Sequence, residues 1–559
     1  MSNVNRQSSF FGFLVAGAIA FILFVIAGYY WFFVKSPVNF VASTSPQSSA
    51  AIFVSKFSPI TVSLLVNPDK LQALEREGEL SKLKTSLLAK SNIDYQEDVQ
   101  PWLGNEITIA VTSLDIDRDS ENGQQPGYLL ALSTTKSQKS REFVDLLFSK
   151  RVLAGGNLAT EEYEGVKLIY DNPPPKQEFL AGGVVGNGFV LFANDLKVLK
   201  DAINNVQAPD LNLNTSVQYQ KAMQQLPKGA VAVAFLNLPS LAKWQGLELQ
   251  EPSYDSEIIS LVLNSKGLIA ETSFLSAAST ESISSSPTPL LSQPVGALQY
   301  IPTSAGLAVS GTNLGNLGDT DLAKLWKQAT ATISGDKKGV NSQMAKPLTN
   351  LQDRWGINLP QDIFSWVEGE YAIALLPQNQ PTTDSWVFVV EQSPKVLEGI
   401  SHLDAIASGK GLNINSLTLN QQKIFAWTEL IATSNKNDTN LPAYTVETKV
   451  QGVHTTLGNY EIFASDLETM AEILTAKDNS LIKNRNFQDS IAAIPQPNQG
   501  YIYLDWTKSQ RLVERQLPIL KLVEVIGKPF FDNLRSLTVS SYGNDPGLLK
   551  GGVFLKLKP

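Results

Sequence analysis

DVQPWLGNEITIAV at residues 98–111 recurs as DIFSWVEGEYAIAL at residues 362–375, and this repetition sets the plan of the whole chain. Both copies end in an apolar run of the kind that favours a strand. The spacing of the polar and aromatic residues is identical in Asp98, Trp102 and Glu106 and in Asp362, Trp366 and Glu370. A match that keeps one offset of 264 positions over three residues predicts an internal duplication.

Two further matches follow in the same order along the chain. FANDL at residues 192–196 matches FASDL at residues 463–467, and the segment 219–227 matches the segment 487–495. The offset drifts to 271 and 268 positions, as insertions between two copies would cause. We therefore predict repeat domain 1 at residues 49–275, a Ser/Pro-rich linker at 276–294, and repeat domain 2 at 295–559.

Each repeat is expected to hold a largely antiparallel sheet with helices on one face, which is an α+β plan. Helices are predicted at residues 69–90, near 139–150, and after Asp195 and Asp466. Ser465 and Glu468 have the spacing of a capping box. Strands in adjacent pairs joined by turns favour antiparallel pairing.

The N-terminal run FFGFLVAGAIAFILFVIAGYYWFFV at residues 10–34 has no charged residue. As a helix it would extend roughly 37 Å, which exceeds a hydrocarbon core of about 30 Å. We predict a tail at residues 1–9, a transmembrane signal-anchor at 10–34 and a tether at 35–48, with the body outside the cytoplasm. A cleaved signal peptide is the alternative, although its apolar region would be shorter. Gly12, Ala16 and Ala20 could let two such helices pair into a homo-dimer.

Composition excludes several classes of chemistry. The 559 residues include 45 Lys and Arg and 53 Asp and Glu, so the net charge of −8 argues against nucleic acid as a partner. There is no cysteine, which removes disulfides and thiolate sites. His402 and His454 are the two histidines, so the usual ligands of zinc and iron are scarce.

The repeated carboxylates could in principle serve as the acid and base of a glycosidase. A catalytic pair present twice in one chain is less economical than a structural role, so we interpret Asp98 and Asp362 as caps of a short turn. The tryptophans would pack under the sheet and the glutamates would begin a strand. Asp195 and Asp466 are interpreted as helix starts.

Two other motifs resemble binding loops but lack the required context. The glycines at residues 182–188 lead into a strand, whereas a phosphate-binding loop leads into a helix, so they predict a hairpin turn. The carboxylates at residues 115–119 would begin a calcium loop, but Ser120 and Pro126 stand where glycine and glutamate are required. No catalytic, cofactor-binding or metal-binding residue is therefore predicted.

The N-terminal apolar run, the two repeats and the Phe-Ala-x-Asp-Leu motif in each half together resemble an uncharacterised family, a domain of unknown function found mainly in membrane-anchored cyanobacterial proteins. The resemblance implies a body in the thylakoid lumen or periplasm and transfers no catalytic residue. Our leading hypothesis is a non-enzymatic interaction protein that works beside membrane proteins and assists assembly or maintenance of photosynthetic complexes. A lipid or pigment carrier or sensor, and an unrecognised hydrolase using Glu106 and Glu370, remain as alternatives.

Overall fold

The computed structural model describes residues 48–66, 93–117, 125–153, 155–172, 179–245, 254–264, 266–276, 289–321, 323–325, 358–377, 385–435, 443–476, 479–510, 528–543 and 547–558. Within these residues, twenty strands form one sheet, and each of the described pairings is antiparallel. We call residues 49–275 the first half and residues 295–559 the second half.

The strands of the first half are β1 (Ile60–Leu64), β2 (Leu103–Ser113), β3 (Gly127–Thr134), β4 (Asn157–Tyr163), β5 (Val166–Asn172), β6 (Ala181–Val185), β7 (Phe189–Ala193), β8 (Ala230–Asn237), β9 (Ser256–Asn264) and β10 (Gly267–Leu275). Those of the second half are β11 (Leu307–Thr312), β12 (Glu370–Leu376), β13 (Ser385–Glu391), β14 (Asn413–Leu419), β15 (Gln422–Asn435), β16 (Ala443–Leu457), β17 (Tyr460–Ala464), β18 (Tyr501–Asp505), β19 (Leu534–Ser541) and β20 (Leu548–Leu557).

Eight α-helices are described alongside the sheet: α1 (Ser137–Leu153), α2 (Leu196–Gln207), α3 (Val217–Met223), α4 (Leu238–Gln245), α5 (Pro394–Gly409), α6 (Leu467–Thr475), α7 (Arg485–Ile491) and α8 (Lys528–Asn533). The helix predicted near residues 139–150 is α1. The helix predicted at residues 69–90 lies outside the described residues.

The order of pairing is the same in both halves. It runs β4-β5-β6-β7-β3-β2-β1-β8-β9-β10 in the first half and β14-β15-β16-β17-β13-β12-β11-β18-β19-β20 in the second. Each strand of the second half therefore corresponds to the strand numbered ten lower. The three sequence matches fall on equivalent elements of this order.

The two halves join edge to edge, which corrects the prediction of two separate sheets. β10 pairs with β20 over nine residue pairs, from Gly267 opposite Lys556 to Leu275 opposite Leu548. Glu271 and Gly552 face each other at the centre, where a pseudo-twofold axis relates the halves. Each of these strands ends the meander of its own half, and an end strand leaves unpaired N–H and C=O groups. Pairing the two end strands with each other satisfies those groups.

Helices cover both faces of the sheet, so the prediction that they lie on one face is wrong. Leu129 and Ala131 of β3 pack in one core with Leu199 of α2. Leu130 and Leu132 point to the opposite face and pack in the core that contains Phe148 of α1. Successive strand residues face opposite sides of a sheet, and here both sets are apolar, so both faces require cover.

The membrane-anchored architecture predicted from the sequence is also corrected. In the part of the chain that the structure describes, no helix combines the length and the apolar character needed to cross a bilayer. Residues 10–34, with Gly12, Ala16 and Ala20, lie outside that part. Length and hydropathy permit a spanning helix without requiring one, and the architecture that is described is the single antiparallel sheet.

Candidate functional site

The repeated aspartates and tryptophans brace a short turn in each half. The indole Nε1 of Trp102 donates to the carbonyl of Asp98 at 2.8 Å, and that of Trp366 donates to the carbonyl of Asp362 at 2.6 Å. Each aspartate carboxylate accepts the backbone N–H four residues earlier, at 2.9 and 2.6 Å respectively. The aspartates thus lie inside the turns Tyr95–Val99 and Leu359–Ile363.

The caps of these turns are consequently Asp94 and Asn358, whose side chains accept N–H groups at 2.9 and 3.4 Å. The prediction that Asp98 and Asp362 cap these turns is wrong, because their carboxylates accept the N–H of the cap residue instead. This reciprocal pattern is a variant of the capping box, with a four-residue spacing. The motif is therefore accounted for by local structure.

The repeated glutamates hold the first turn of each half. The Glu106 carboxylate accepts the backbone N–H groups of Ser49 and Ala50, both at 3.0 Å, and a bond from the hydroxyl of Thr108 at 3.1 Å. These N–H groups begin the turn Ser49–Phe53. A carboxylate placed there accepts orphan donors and complements the dipole of the turn.

The second half repeats this arrangement with different partners. Glu370 accepts the N–H of Gly296 and the hydroxyl of Tyr460, both at 2.7 Å. Gly296 begins the equivalent turn Gly296–Tyr300. Burial and the bond to Glu370 both raise the pKa of Tyr460. Both glutamates are thus occupied by anchoring bonds.

Asp195 and Asp466 cap helices α2 and α6, as the sequence predicted. Asp195 accepts the N–H of Lys197 at 2.7 Å, and Asp466 accepts that of Thr469 at 2.8 Å. The predicted Ser465–Glu468 capping box is wrong, because Asp466 is the residue at the cap. The Ser465 hydroxyl instead donates to the Asp466 carboxylate at 2.6 Å.

The glycines at residues 182–188 form a hairpin as predicted, with Val185 of β6 opposite Phe189 of β7. Asp115 and Asp117 of the calcium-like stretch lie on the connection between β2 and β3, and Asp119 lies outside the described residues. No group of three His, Asp or Glu side chains that could hold a metal ion occurs among the described residues. A cavity of about 210 Å³ beside α3 is lined by Asn214, Tyr219, Gln220, Met223 and Gln224.

The two histidines have very different surroundings. His402 lies on α5 with its side chain 58% exposed, 3.4 Å from the Asp362 carboxylate. His454 lies on β16 and is 5% exposed. Its Nδ1 is 2.8 Å from Oε1 of Glu461, which is 3% exposed, and the hydroxyl of Thr456 donates to Oε2 of the same carboxylate at 2.7 Å. His454 Nε2 has no hydrogen-bond partner within the described part of the chain.

Aromatic rings enclose His454 on the face of the sheet that α5 covers. The imidazole stacks on the rings of Trp427, Phe425 and Phe463 at centroid distances of 5.1, 5.2 and 5.6 Å. The Trp427 indole donates to the Asp404 carboxylate on α5 at 2.8 Å. We call Asp404, Phe425, Trp427, His454, Glu461 and Phe463 the root cluster.

The pairing registers identify the residues of the first half that are equivalent to members of the root cluster. Phe192 and Phe463 belong to the repeated motif, and they pair with Gly182 and His454 respectively. Gly182 and His454 therefore occupy equivalent positions. Two residues before each phenylalanine stand Val190 and Glu461. The buried His–Glu pair thus exists in the second half alone.

The covering helices differ in a complementary way. Phe143 of α1 and Gly399 of α5 both lie against the repeated tryptophan, so they are equivalent positions. Five residues later stand Phe148 and Asp404. The Phe148 ring fills the space above Gly182, where an added Cβ would approach it to 3.1 Å. In the second half the bulk comes from His454 on the sheet, and the helix contributes a carboxylate.

A hairpin extends from the root cluster beyond the ends of the neighbouring strands β14 and β17. β15 and β16 have 14 and 15 residues, whereas β5 and β6 have 7 and 5. Beyond a bulge at Trp427 and Thr428, β15 continues to pair with β16 from Glu429 opposite Lys449 to Asn435 opposite Ala443. We call residues 429–435 with 443–449 the arm. Among the described residues no third strand pairs with it.

The arm exposes apolar side chains. Leu430 is 60% exposed, Ile431 36% and Val446 63%. Leu430 and Ile431 are adjacent on one strand, so they point to opposite faces. At the base of the arm, the Gln451 amide donates to the Glu429 carboxylate at 2.6 Å. The arm therefore has a fixed root and an apolar surface on both sides.

The arm was not predicted, although the sequence carries a signal for it. Tyr163 to Ala193 spans 30 positions, and the equivalent Leu419 to Ala464 spans 45. An offset measured over this segment alone would have located an insertion of 15 residues. Over the longer interval between the Trp and Phe-Ala-x-Asp-Leu motifs, other length differences partly cancel this insertion.

A buried carboxyl lies on β9, away from the arm. Glu257 is 4% exposed and accepts a hydrogen bond from the Thr272 hydroxyl at 2.9 Å. Burial raises the pKa of Glu257 to about 7, and the bond from Thr272 opposes this effect. Leu537 of β19 occupies the equivalent position, since Leu236 pairs with Glu257 as Leu504 pairs with Leu537.

Comparison with known proteins identifies the family. Residues 14–557 match the family described as "Protein of unknown function (DUF3352)", so the chain belongs to that family. No curated protein matches it. Two solved structures are similar over part of the chain, crystal forms I and III of TP0453, at 9% and 10% identity and a TM-score of 0.25 each. They cover 42% of this chain and 81% and 82% of their own chains, and at that TM-score they carry no argument about fold or function.

Proposed function

We propose that this protein is a non-enzymatic interaction protein whose arm binds another protein. The observation that carries the proposal is the exposure of Leu430, Ile431 and Val446 on a two-stranded hairpin without a third strand among the described residues. A two-stranded hairpin is only marginally stable alone in water. A partner that covers both faces would bury this apolar surface and order the arm.

The difference between the halves supports the same proposal. Features present in both halves, such as the Trp and Glu motifs, serve the common fold. The arm occurs in one half, so the fold does not require it. Its root is held by the stacked rings and by the bonds to Asp404 and Glu461. A rooted element that projects beyond the sheet is suited to contact a partner with little rearrangement of its base.

Among the described residues, neither alternative has a comparable observation in its favour. Drug-sized ligands occupy pockets of roughly 300–1,000 Å³ lined mainly by apolar groups. The cavity beside α3 is smaller, at about 210 Å³, and three of its five lining residues are amides. Glu106 and Glu370, the candidate hydrolase residues, bind backbone N–H groups of their own chain.

Affinity capture tests the proposal with an arm variant and a matched control. The variant carries Leu430→Ser, Ile431→Thr and Val446→Thr. The control carries Leu153→Ser and Leu158→Ser, which change two exposed leucines of the first half. Wild type and control should recover the same proteins after cross-linking, and the arm variant should lose them. Equal recovery with all three, or nothing above background, would contradict the proposal.

The narrower form of the proposal concerns the partner. The resemblance noted in the sequence would make it a subunit or assembly intermediate of a photosynthetic membrane complex, in an extracytoplasmic compartment of a cyanobacterium. The identity of the proteins captured through the arm tests this narrower form. Recovery of unrelated soluble proteins through the arm would retain the interaction role and remove the photosynthetic one.

A further inference from the structure

The sheet ends in two equivalent edge strands, β4 and β14. Within the described residues each has a single neighbour, β5 or β15. Each is joined to that neighbour by a two-residue turn with positive φ at both positions, 48° and 74° at Glu164 and Gly165, and 50° and 66° at Asn420 and Gln421. Such turns make the flanking residues a hydrogen-bonded pair.

The turn determines which backbone groups point outward. In an antiparallel pair, bonded and non-bonded positions alternate along the strand. The backbone of Leu419, next to the turn, is hydrogen-bonded to β15. By alternation, Thr418, Ser416 and Ile414 direct their N–H and C=O groups away from the sheet. The same alternation makes Leu158, Thr160 and Glu162 the outward residues of β4.

The side chains of the two edges differ. β4 contains Glu161 and Glu162, and Glu161 forms an ion pair with Lys200 at 2.7 Å. Charges on an edge strand oppose pairing with another strand. β14 has the sequence NINSLTL, without a charged residue or a proline. The side chains of β14 therefore present no electrostatic obstacle to the addition of another strand.

We propose that β14 pairs antiparallel with β14 of a second copy of this chain, which extends the sheet across two molecules. The twofold axis passes through Ser416, which lies opposite its own copy, and Ile414 lies opposite Thr418. All three outward residues are then hydrogen-bonded in one self-complementary register. Because every position of the strand is uncharged, this register places no like charges opposite each other.

A junction of the type proposed for two copies of β14 already exists inside the molecule. The two halves already join through equivalent strands, β10 and β20, which pair antiparallel about a pseudo-twofold axis. A β14 pair would repeat that type of junction at the outer edge. Seven paired residues bury less surface than a standard interface of about 1,600 Å². The dimer is therefore expected to be weak and dependent on concentration, and it does not rest on the role proposed for the arm.

Sedimentation velocity across the micromolar range tests the dimer with matched proline variants. Ser416→Pro removes an outward N–H of β14 and no bond to β15, and proline is tolerated on edge strands. Thr160→Pro makes the same change at the equivalent position of β4. Wild type and Thr160→Pro should dimerise as concentration rises, and Ser416→Pro should remain a monomer. Wild type that stays monomeric, or Ser416→Pro that dimerises as wild type does, would overturn the proposal.

Cross-linking gives a readout that does not depend on the proline variant folding. The chain has no cysteine, so Ser416→Cys introduces the only thiol. Hydrogen-bonded antiparallel partners have Cβ atoms about 5.5 Å apart, which is beyond the range for an unstrained disulfide but within reach of a short bifunctional thiol cross-linker. Such a reagent should convert Ser416→Cys to a covalent dimer and leave Thr160→Cys largely monomeric. Equal cross-linking of the two variants would show non-specific collision and contradict the β14 register.

Discussion

The two halves share one strand order but fill an equivalent core position by opposite means. In the first half the helix supplies the bulk, since Phe148 covers Gly182. In the second half the sheet supplies it through His454, and α5 contributes the Asp404 carboxylate. A duplicated backbone thus tolerates exchange of volume between layers as long as the space stays filled. Where polar groups enter, most acquire partners, as the Glu461 carboxylate and the Trp427 indole do.

The comparison also separates fold from function. The repeated Trp and Glu residues make equivalent contacts in both halves and should be equally necessary to each. The root cluster, the arm and the uncharged β14 edge all lie at the outer end of the second half. These differences at one end of the sheet are what we expect if one repeat gained a binding role.

The largest effect is expected from the repeated tryptophans. Trp102→Ala and Trp366→Ala each remove a buried indole, so each should lower the free energy of unfolding by about 3–5 kcal/mol. Urea denaturation measures this change. His402→Ala, at an exposed position, should stay within about 0.5 kcal/mol of wild type. If only one of the two substitutions lowered the free energy of unfolding, the repeated tryptophans would not stabilise both halves equally.

Glu257 and Leu537 give a pH-dependent contrast between equivalent positions. The folded-state pKa of Glu257 is about 7, against 4.5 unperturbed, so the folded protein retains a proton that the unfolded chain has released. The contribution of Glu257 to the free energy of unfolding is therefore fully present below pH 4.5. It is lost as the pH rises towards 7, and the total loss is about 3 kcal/mol. Glu257→Leu should remove this loss, so its gain over wild type should be about 3 kcal/mol larger at pH 8 than at pH 4.

Thermal and urea unfolding at both pH values check the Glu257 prediction. Glu398→Leu changes an exposed glutamate on α5 and should not alter the pH profile. A wild-type profile that is flat between pH 4.5 and 8 would show that Glu257 is ionised in the folded protein.

Glu106→Gln and Glu370→Gln distinguish anchoring from catalysis. Each substitution weakens charge-assisted bonds to backbone N–H groups, so each should lower the free energy of unfolding by about 1.5–3 kcal/mol. Glu106 accepts more bonds and should show the larger loss. Unchanged stability in both variants would contradict the anchoring role and revive the hydrolase alternative.

The exchange of bulk between helix and sheet can be reversed experimentally. Asp404→Phe with His454→Gly places the first-half residues at these two positions of the second half, while Glu461 stays where the first half has Val190. Each single change should destabilise, because one overpacks the site and the other leaves a cavity. The double variant should recover part of the loss, with a coupling of about 0.5–3 kcal/mol in a double-mutant cycle. Strictly additive losses would mean that the two positions do not share one space.

Local features were predictable because they depend on residues that are close in sequence. The helix starts at Asp195 and Asp466 and the hairpin at residues 182–188 follow from caps and turns. The exact cap residues were misplaced, since Asp94 and Asn358 were not recognised. The arm and the His–Glu pair were missed, because a single buried histidine on a strand carries no sign of the carboxylate that pairs with it.

Spacing, alternation and capping residues in the sequence specify the repeat, the antiparallel character and the helix starts at Asp195 and Asp466, because these properties depend on residues close in sequence. That the halves share one sheet, that helices cover both faces, and that one hairpin projects depends on tertiary structure. Strand alternation specifies which side chains face the core but not which edge meets which. The pairing of β10 with β20 depends on two edges separated by almost the whole second half, and only the folded chain brings them together.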